Sequence, residues 1–276
     1  MSRESVAPES AQEFFRDHYD RRATGLDTRA LRGPDVYGSA LLPAVLRAPY
    51  RYWEQLIAGS ADAEKSLLDF GCGQGRFSVF PARRGFGRVV GIDISAASLE
   101  VARERARYFG IEARAEFVAG DCEQLPFADG EFDVVIESGT LPCLDLERAL
   151  AEIRRVLRPG GRFLLVDTLG HNPVLNLRRR FAVATGERPE FVVSHILRVE
   201  QFEIFRRHFD NVGARFFNFA TLLATPVARW AAGRALLRGL ESVDATLLRA
   251  LPFLRRYAFK VVLELDRPAV PPPANR

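Results

Sequence analysis

The pattern of apolar and polar residues along the chain changes near Lys65. Before that point, apolar residues recur at helical spacing over residues 11–20 and again over residues 41–57, which predicts two helices. The stretch between them, 21–38, contains glycine, proline and aspartate and predicts a loop. After Lys65, short apolar runs alternate with amphipathic stretches, which is typical of a domain that mixes strands and helices.

Five short apolar runs follow in order, and each predicts a buried strand. They are residues 66–70, 88–92, 115–118, 132–136 and 162–166. Helices are predicted at 96–109 and 146–157, and Pro159-Gly160-Gly161 is expected to stop the second one. Uninterrupted apolar strands that alternate with helices indicate a parallel sheet covered on both faces.

The chain after residue 170 is more helical. We predict a helix over 199–208, a strand over 214–219, a long helical stretch over 226–254 and a last strand over 257–265. The predicted fold class is therefore α/β, a Rossmann-like seven-stranded and mostly parallel sheet with helices on both faces. An N-terminal helical cap precedes the sheet, and a helical insertion precedes its last strand.

These elements divide the chain into three parts. Residues 1–60 form the helical cap, 61–267 the main domain, and 268–276 a proline-rich tail that we expect to be disordered. Within the main domain, the core motifs occupy 65–168 and a substrate-binding or lid region occupies 170–255.

Composition narrows the class of protein without naming it. The chain has 276 residues, of which 47% are hydrophobic, and this is enough to bury the core of one α/β domain. It has no run of eighteen uncharged apolar residues, and its first residues lack the apolar segment of a signal peptide. We therefore expect a cytoplasmic protein without stable membrane insertion.

Charge and cysteine content exclude further classes. The net charge of +4 comes from basic residues spread among 35 acidic ones, whereas a nucleic-acid-binding protein concentrates them, so we expect no nucleic-acid partner. Three cysteines are too few and too scattered for a disulfide framework or a zinc cluster, and we expect no metal site. The partner we expect is a small molecule. The sequence leaves open whether the chain forms a homodimer, because the leucine face of the long helix can pack on a second copy or on the sheet.

The sequence LLDFGCGQGRF at residues 67–77 carries the candidate chemistry. A buried strand ends there, and Gly71, Gly73 and Gly75 let the backbone turn sharply and approach a ligand closely. Asp93 closes the next strand, where a carboxylate can accept hydrogen bonds from both hydroxyls of a ribose.

Two features separate this turn from a dinucleotide site. The dinucleotide fingerprint spaces its glycines as GxGxxG and leaves a helix N-terminus for pyrophosphate, whereas the spacing here is GxGxG. Asp69 precedes the first glycine, and its carboxylate suits an ammonium group but would repel a pyrophosphate. S-Adenosylmethionine has an ammonium and a sulfonium and no phosphate, so the site favours it over a nicotinamide cofactor.

Four segments, in this order, resemble the motifs of the class I S-adenosylmethionine-dependent methyltransferases. The resemblance is strongest to the small-molecule group that includes the ubiquinone and menaquinone C-methyltransferases. The segments are LLDFGCGQGRFS at 67–78, VGIDIS at 90–95, GDCEQLPF at 120–127 with Phe132-Asp133 after it, and LRPGG at 157–161. The resemblance covers residues 65–168, and the flanks carry no motif that can be transferred.

The resemblance implies a cofactor-binding role for each matching residue. The residues are Asp69, Gly71, Cys72, Gly73, Gly75, Asp93, Ile94, Asp121, Cys122 and Glu137. It implies that the glycine turn passes beneath the methionine part with Asp69 near the ammonium, and that Asp93 holds the ribose. It further implies that Ile94 and residues 121–122 contact the adenine, and that Glu137 faces the methionine end through its backbone.

A general base helps methyl transfer only where the acceptor must lose a proton, whereas alignment of the reactants helps in every case. His171 directly follows the fifth predicted strand, at the edge where such sheets bind ligands, and is the first candidate. His195 lies between the fifth and sixth predicted strands and is the second. For both, the alternative is that the histidine lines the substrate site or stabilises its loop.

The sequence thus predicts an enzyme that transfers a methyl group from S-adenosylmethionine to a small organic acceptor, with S-adenosylhomocysteine as product. We expect methylation on oxygen, with nitrogen or carbon as alternatives, in a setting such as secondary metabolism. The tetrapeptide [ND]PP[YF] of many enzymes that methylate nucleic acid or glutamine is missing from residues 137–140, which read ESGT. The alternative function is a catalytically silent accessory subunit that binds S-adenosylmethionine.

Overall fold

The computed structural model describes residues 11–24, 37–185, 190, 193, 195–228 and 230–267. The strands are β1 (Ser66–Phe70), β2 (Arg88–Asp93), β3 (Ala115–Ala119), β4 (Phe132–Glu137), β5 (Leu157–Thr168), β6 (Asn211–Phe217) and β7 (Lys260–Asp266). The helices are α1 (Ala11–Thr24), α2 (Arg47–Ala58), α3 (Val79–Arg84), α4 (Ala96–Phe109), α5 (Leu146–Val156), α6 (Pro173–Ala184), α7 (Phe202–His208) and α8 (Ala231–Ala250).

The strands form one seven-stranded sheet in the order β3-β2-β1-β4-β5-β7-β6. Strands β1 to β5 pair in parallel, whereas β7 runs antiparallel to both of its neighbours. The chain order reverses between β1 and β4, and in open α/β sheets such a point leaves a crevice beyond the strand ends where ligands bind. The predicted α/β fold with a mostly parallel seven-stranded sheet is confirmed.

Both faces of the sheet are covered. Successive strand residues point to opposite sides, so each buried strand contributes apolar side chains to both faces. On one face, Leu68 and Phe70 of β1 join an apolar cluster with α5 and α7. On the other face, Leu67 packs in a cluster with α2, α3 and α4. Trp53 of α2 is 1% exposed, and its indole N–H donates to the carbonyl oxygen of Leu164 in β5 at 2.9 Å. Helix α2 is therefore part of the layer that covers the sheet.

Local signals explain where two of the central helices begin and end. Ser95 caps α4 by accepting from the backbone N–H of Ser98, and Gly110 ends it in the left-handed conformation. Asp145 caps α5 by accepting from the backbone N–H of Arg148. The predicted bounds of α4 are those of the structure.

Several predicted bounds are wrong, and the cause is tertiary pairing. The helix expected to run to residue 157 ends at Val156, and β5 begins at Leu157, so the Pro-Gly-Gly run lies inside the strand. Gly160 adopts a φ of 77°, and its N–H donates to the carbonyl of Arg267 after β7. Strand β6 pairs with β7 from Asn211 onward and so starts there instead of at 214. Strand β7 starts at Lys260 instead of 257 because Pro252–Tyr257 form a 3-10 segment.

The predicted helices outside the core motifs also need correction. Helix α1 continues to Thr24, and only residues 47–58 of the second predicted helix are α-helical, after short 3-10 turns. The long stretch over 226–254 is α8 followed by a 3-10 segment, Pro252–Tyr257, because proline cannot continue the hydrogen-bonded helix. The stretch over 199–208 begins as a 3-10 turn before α7. The predicted disordered tail, 268–276, lies outside the described residues.

Candidate functional site

The turn after β1 holds its three motif glycines at positive φ, 70° at Gly71, 50° at Gly73 and 67° at Gly75. A Cβ at Gly71 would meet the side chain of Thr140, and a Cβ at Gly75 would lie 2.9 Å from the Cβ of Ala102 in α4. A Cβ at Gly73 would find only an oxygen of Asp93, 3.9 Å away. Packing inside the protein therefore requires glycine at 71 and 75, whereas Gly73 leaves open space above the turn.

Asp93, at the end of β2, fixes this turn from the neighbouring strand. One carboxylate oxygen accepts from the backbone N–H of Gly73 at 2.8 Å and the other from that of Ser95 at 2.9 Å. Burial raises the pKa of Asp93, and these backbone hydrogen bonds act in the opposite direction. Each carboxylate oxygen can accept more than one hydrogen bond, so Asp93 can still receive hydroxyl donors from a ligand.

Asp69 lies beneath the same turn and is 4% exposed. Its carboxylate accepts from the hydroxyl of Ser78 at 2.5 Å. Burial, together with a smaller effect of the charge of Asp93, raises the pKa of Asp69 to about 7, while the Ser78 hydrogen bond opposes the rise. A cation placed beside Asp69 would favour its ionised form.

A cavity of about 330 Å³ opens above the turn, and we call it the turn cavity. Its volume lies in the range of small-molecule sites. It is lined by Phe15, Tyr19, Asp69, Gly71, Cys72, Gly73, Gln74, Arg76, Phe77, Asp93, Ile94, Ser98, Asp121, Cys122, Ser138, Gly139, Thr140, Cys143 and Leu144. Of the ten residues predicted to bind the cofactor, all but Gly75 and Glu137 line this cavity.

Glu137 and Gly75 lie behind the cavity wall. Glu137 is 0% exposed, and one of its oxygens accepts from the backbone N–H groups of Thr140 and Leu141. Burial and the nearby carboxyl of Asp167 raise the pKa of Glu137 well above its ordinary value. Its carboxyl thus shapes the segment that follows β4, and Gly75 lets α4 pack closely on the turn.

Helix α1 covers one side of the turn cavity. Phe15 and Tyr19 line the cavity from this helix. Asp20 holds α1 in place, since its carboxylate accepts from the hydroxyl of Ser95 at 2.6 Å and from the backbone N–H of Ala97 at 3.2 Å. The negative charge of Asp20 also lies at the N-terminus of α4, where the helix dipole favours it.

Several residues that line the turn cavity were not predicted from the sequence, among them Phe15, Arg76, Phe77 and Ser138. Arg76 directly follows the last motif glycine and Ser138 directly follows β4, so position beside a motif was a usable signal for both. Phe15 carried no such signal, because only the packing of α1 against α4 brings it to the cavity.

A second cavity of about 440 Å³, which we call the side cavity, adjoins the turn cavity. The two share Cys143 and Leu144 in their walls. The side cavity is lined by Glu123, Leu141, Pro142, Cys143, Leu144, Asp145, Leu146, Glu147, Asp167, His195, Leu197 and Gln201. The candidate base His195 therefore lies beside the predicted cofactor site.

His171 lines neither cavity. Its side chain is 8% exposed, and its Nε2 atom lies 2.9 Å from a carboxylate oxygen of Glu200 and 3.3 Å from the backbone nitrogen of Val199. Burial lowers the pKa of His171, against the opposing effect of Glu200. His171 therefore contacts the segment before α7, whereas His195 lines the side cavity. The fold does not bring the two predicted base candidates together.

The thiols in the two cavity walls are poorly suited to nucleophilic chemistry. Burial raises the pKa of Cys72 and of Cys122 well above the ordinary thiol value, and it raises the pKa of Cys143 to about 12. A thiol is nucleophilic as its thiolate, and these three groups are protonated at neutral pH.

The described ranges hold neither a candidate metal cluster nor a candidate membrane span. No group of three or more histidine, cysteine, aspartate or glutamate side chains there is arranged to hold a metal ion. Among the helices described above, none combines the length and apolarity needed to cross a membrane.

The core of the chain resembles known proteins. Residues 68–165 match the family model described as a methyltransferase domain. The matched segment is about a third of the chain, and the resemblance inferred from its motifs is confirmed over this segment.

Among curated relatives, Methyltransferase GfsG of Streptomyces halstedii is 41% identical over 107 residues, which are 38% of this chain and 38% of that protein. The ubiquinone/menaquinone biosynthesis C-methyltransferase UbiE of Haemophilus ducreyi is 37% identical over 123 residues, 43% of this chain and 48% of that protein. The chain spans less than half the length of these two relatives, and the similarity in sequence covers less than half of this chain.

Among solved structures, the one described as the [4+2]-cyclase SpnF superimposes with a TM-score of 0.62. The match covers 96% of this chain and 98% of that chain at 22% identity. At this identity the likeness concerns the fold alone, and it extends to the flanks that the sequence relatives leave unmatched.

Proposed function

We propose that the chain is an S-adenosylmethionine-dependent methyltransferase and that the turn cavity binds the methyl donor. The observation that carries this proposal is that Asp69 and Asp93 both line the turn cavity, which opens above Gly73. Carboxylates at adjacent strand ends suit a ligand with hydroxyl and ammonium donors and oppose a diphosphate.

We propose the following residue roles for this site. Asp69 would pair with the ammonium and Asp93 would accept from the ribose hydroxyls, while Ile94 and residues 121–122 would contact the adenine. S-Adenosylmethionine, when bound, supplies the activated methyl group. The protein then contributes orientation and exclusion of water, with α1 closing one side of the site.

For the acceptor, we propose a compact organic molecule in the side cavity. The sequence-based preference for oxygen, with nitrogen or carbon as alternatives, is retained, together with secondary metabolism as the setting. Where a base is required, His195 is better placed than His171, since His195 lines the cavity beside the methyl donor. We also propose a cytoplasmic location, no nucleic-acid partner and a possible homodimer on the sequence grounds given above.

The second candidate function is a protein that binds the nucleoside without transferring a methyl group. Its support is the likeness in fold to a chain described as a [4+2]-cyclase, because one fold can carry different reactions. An accessory S-adenosylmethionine-binding subunit belongs to the same class.

The test is product formation by the full chain. The protein is incubated with S-adenosylmethionine and a panel of amines, phenols, alcohols and carboxylic acids, and S-adenosylhomocysteine and methylated products are measured by mass spectrometry. We expect stoichiometric formation of both products with at least one acceptor. Tight binding of S-adenosylhomocysteine without turnover on any acceptor would favour the silent protein, and failure to bind it would refute both candidates.

A further inference from the structure

We propose that the methyl acceptor is an apolar molecule carrying a basic amine, and that Asp167 in the side cavity binds this amine. The proposal rests on the proposed function, because it assigns the side cavity to the acceptor. It adds the chemical class of the acceptor and the residue that recognises it.

The position of the side cavity fits an acceptor. Asp167 lies near the end of β5, next to β4, whose end borders the turn cavity. The cavities meet at Cys143 and Leu144, so a ligand in one lies directly beside a ligand in the other. Transfer between two bound molecules requires this adjacency.

The charges that line the side cavity have one sign. Among the described residues that line it, four are carboxylates and none is a lysine or arginine. The acidic residues are Glu123, Asp145, Glu147 and Asp167. A carboxylate or phosphate on the acceptor would meet only repulsion from these groups, whereas an ammonium would be attracted.

Three of the four carboxylates already have partners within the protein. Glu123 lies 3.7 Å from a guanidinium nitrogen of Arg148, and Asp145 caps α5 through the backbone N–H of that arginine. Glu147 pairs with Arg207 and with His208 at 2.9 Å. These groups are therefore satisfied without a ligand.

Asp167 differs from these three. It is 1% exposed, and one of its oxygens accepts from the backbone N–H of Thr168 at 2.6 Å. The other oxygen is buried and receives no hydrogen bond from the described residues. A buried acceptor without a donor is costly, so this oxygen calls for a donor from outside the present contacts. Burial raises the pKa of Asp167, and Lys260 and Arg179 lower it.

The remaining lining residues define the body of the acceptor. Leu141, Pro142, Leu144, Leu146 and Leu197 present apolar surface. An acceptor with an aromatic or aliphatic body and one amine would bury its body there and place its N–H donors at Asp167.

A proton shared between Asp167 and Glu137 is the competing explanation. Glu137 also has a buried oxygen without a hydrogen-bond donor among the described residues, and burial together with the charge of Asp167 raises the pKa of Glu137. A shared proton would satisfy both oxygens and would leave the side cavity with no preference for an amine.

The test uses the full chain saturated with S-adenosylhomocysteine and three ligands with the same ring, namely tryptamine, tryptophol and indole acetate. Binding of each is measured by calorimetric titration. We expect tryptamine to bind about tenfold more tightly than tryptophol, with indole acetate the weakest, because a charged hydrogen bond adds to the binding of the shared ring. Equal affinities, an inverted order or no measurable binding of tryptamine would overturn the proposal.

Two variants locate the contact. D167N keeps the shape of the side chain and an acceptor for Thr168, and we expect it to weaken tryptamine about tenfold without changing the affinity for S-adenosylhomocysteine. The matched control is E147Q, which removes the same charge from the same cavity at a residue that is already paired, and we expect a change of less than about threefold. Unchanged tryptamine binding in D167N would favour the shared proton and overturn the proposal.

A third variant covers a failure of D167N to fold. Q201W fills the side cavity, and we expect it to abolish tryptamine binding while S-adenosylhomocysteine still binds. Retained tryptamine binding would place the amine elsewhere and overturn the inference. If the unaltered chain does not bind S-adenosylhomocysteine, the proposed function itself is refuted. The two failures are therefore distinguishable.

Discussion

The turn cavity and the side cavity adjoin, but their acidic groups are held in different ways. In the turn cavity, Asp93 and Asp121 accept hydrogen bonds from backbone N–H groups, of Gly73 and Ser95 in one case and of Glu123 in the other. In the side cavity, Glu123 and Glu147 pair with arginine side chains and Asp145 caps α5. Asp167 keeps one oxygen without a donor among the described residues.

By this difference the turn cavity is a preformed site, whereas the side cavity is one that its proposed ligand would complete. Backbone hydrogen bonds fix Asp93 and Asp121 of the turn cavity before a ligand arrives, which lowers the entropic cost of binding. Long, flexible arginine side chains hold the rim of the side cavity instead. Substitutions in the turn cavity should therefore act on cofactor affinity, and substitutions in the side cavity on the acceptor and on turnover.

The largest expected effect concerns the histidines. With an acceptor found in the product assay, H195A should lower kcat by at least about 100-fold if this side chain takes a proton from the acceptor. H171A should change kcat by less than about threefold, because the side chain contacts Glu200 outside both cavities. Steady-state kinetics decides between them, with unchanged cofactor affinity as the control. A large loss in H171A alone would restore His171 as the base.

The next effect concerns the floor of the turn cavity. D93A should weaken S-adenosylhomocysteine binding by about 100-fold, because it removes the carboxylate that fixes Gly73 and the proposed acceptor of the ribose hydroxyls. Calorimetric titration measures the dissociation constant, and D62A, at an exposed loop aspartate, is the control. An unchanged constant in D93A would place the ribose elsewhere.

Asp69 predicts a dependence of cofactor binding on pH. Its pKa of about 7 means that the carboxyl is increasingly protonated as the pH falls below that value. If it pairs with the ammonium only when ionised, the dissociation constant of S-adenosylhomocysteine should rise by up to about tenfold per pH unit below 7. Binding should be constant above that pH.

The matched variant is D69N, which cannot ionise. It should bind more weakly than the unaltered chain at pH 8, and its binding should lose the dependence attributed to Asp69, while any part due to Asp93 remains. A pH profile that is the same in D69N and in the unaltered chain would exclude pairing of Asp69 with the ammonium.

The smallest expected effect concerns α1. D20A removes the carboxylate that accepts from Ser95 and Ala97, so α1 should cover the turn cavity less of the time. We expect about threefold weaker S-adenosylhomocysteine binding and little change in the free energy of unfolding, measured by urea titration. D17A, on an exposed turn of the same helix, is the control. Equal affinities in the two variants would show that α1 is not needed for binding.

Much of the fold could be predicted because its signals are local. The apolar runs of β1 and β4 and the caps of α4 lie within a few residues of the elements that they define. The bounds of β5, β6 and β7 were less predictable, since their ends depend on pairing between residues far apart in sequence, such as Gly160 with Arg267.

The site divides in the same way. Asp69, Asp93 and Asp121 could be located because each follows or ends a strand in a recognisable motif. Asp167 lies near the end of a strand too. It differs in having a carboxylate oxygen without a hydrogen-bond donor among the described residues, and this depends on how Thr168, Glu137 and Lys260 are placed around it. Of the two histidines, the one adjacent to the strand was preferred, and packing places the other one at a cavity.

The sequence by itself determined the parallel core of the sheet, the glycine turn and the carboxylates at its strand ends, because hydrophobic period and turn chemistry act over short distances. Only the tertiary structure decided which residues close the turn cavity and that a second acidic cavity adjoins it. It also decided that one oxygen of Asp167 has no donor among the described residues, whereas Glu147 is paired. Those outcomes depend on contacts between segments such as α1 with α4 and β5 with β7, and residue order does not encode such contacts as a local pattern.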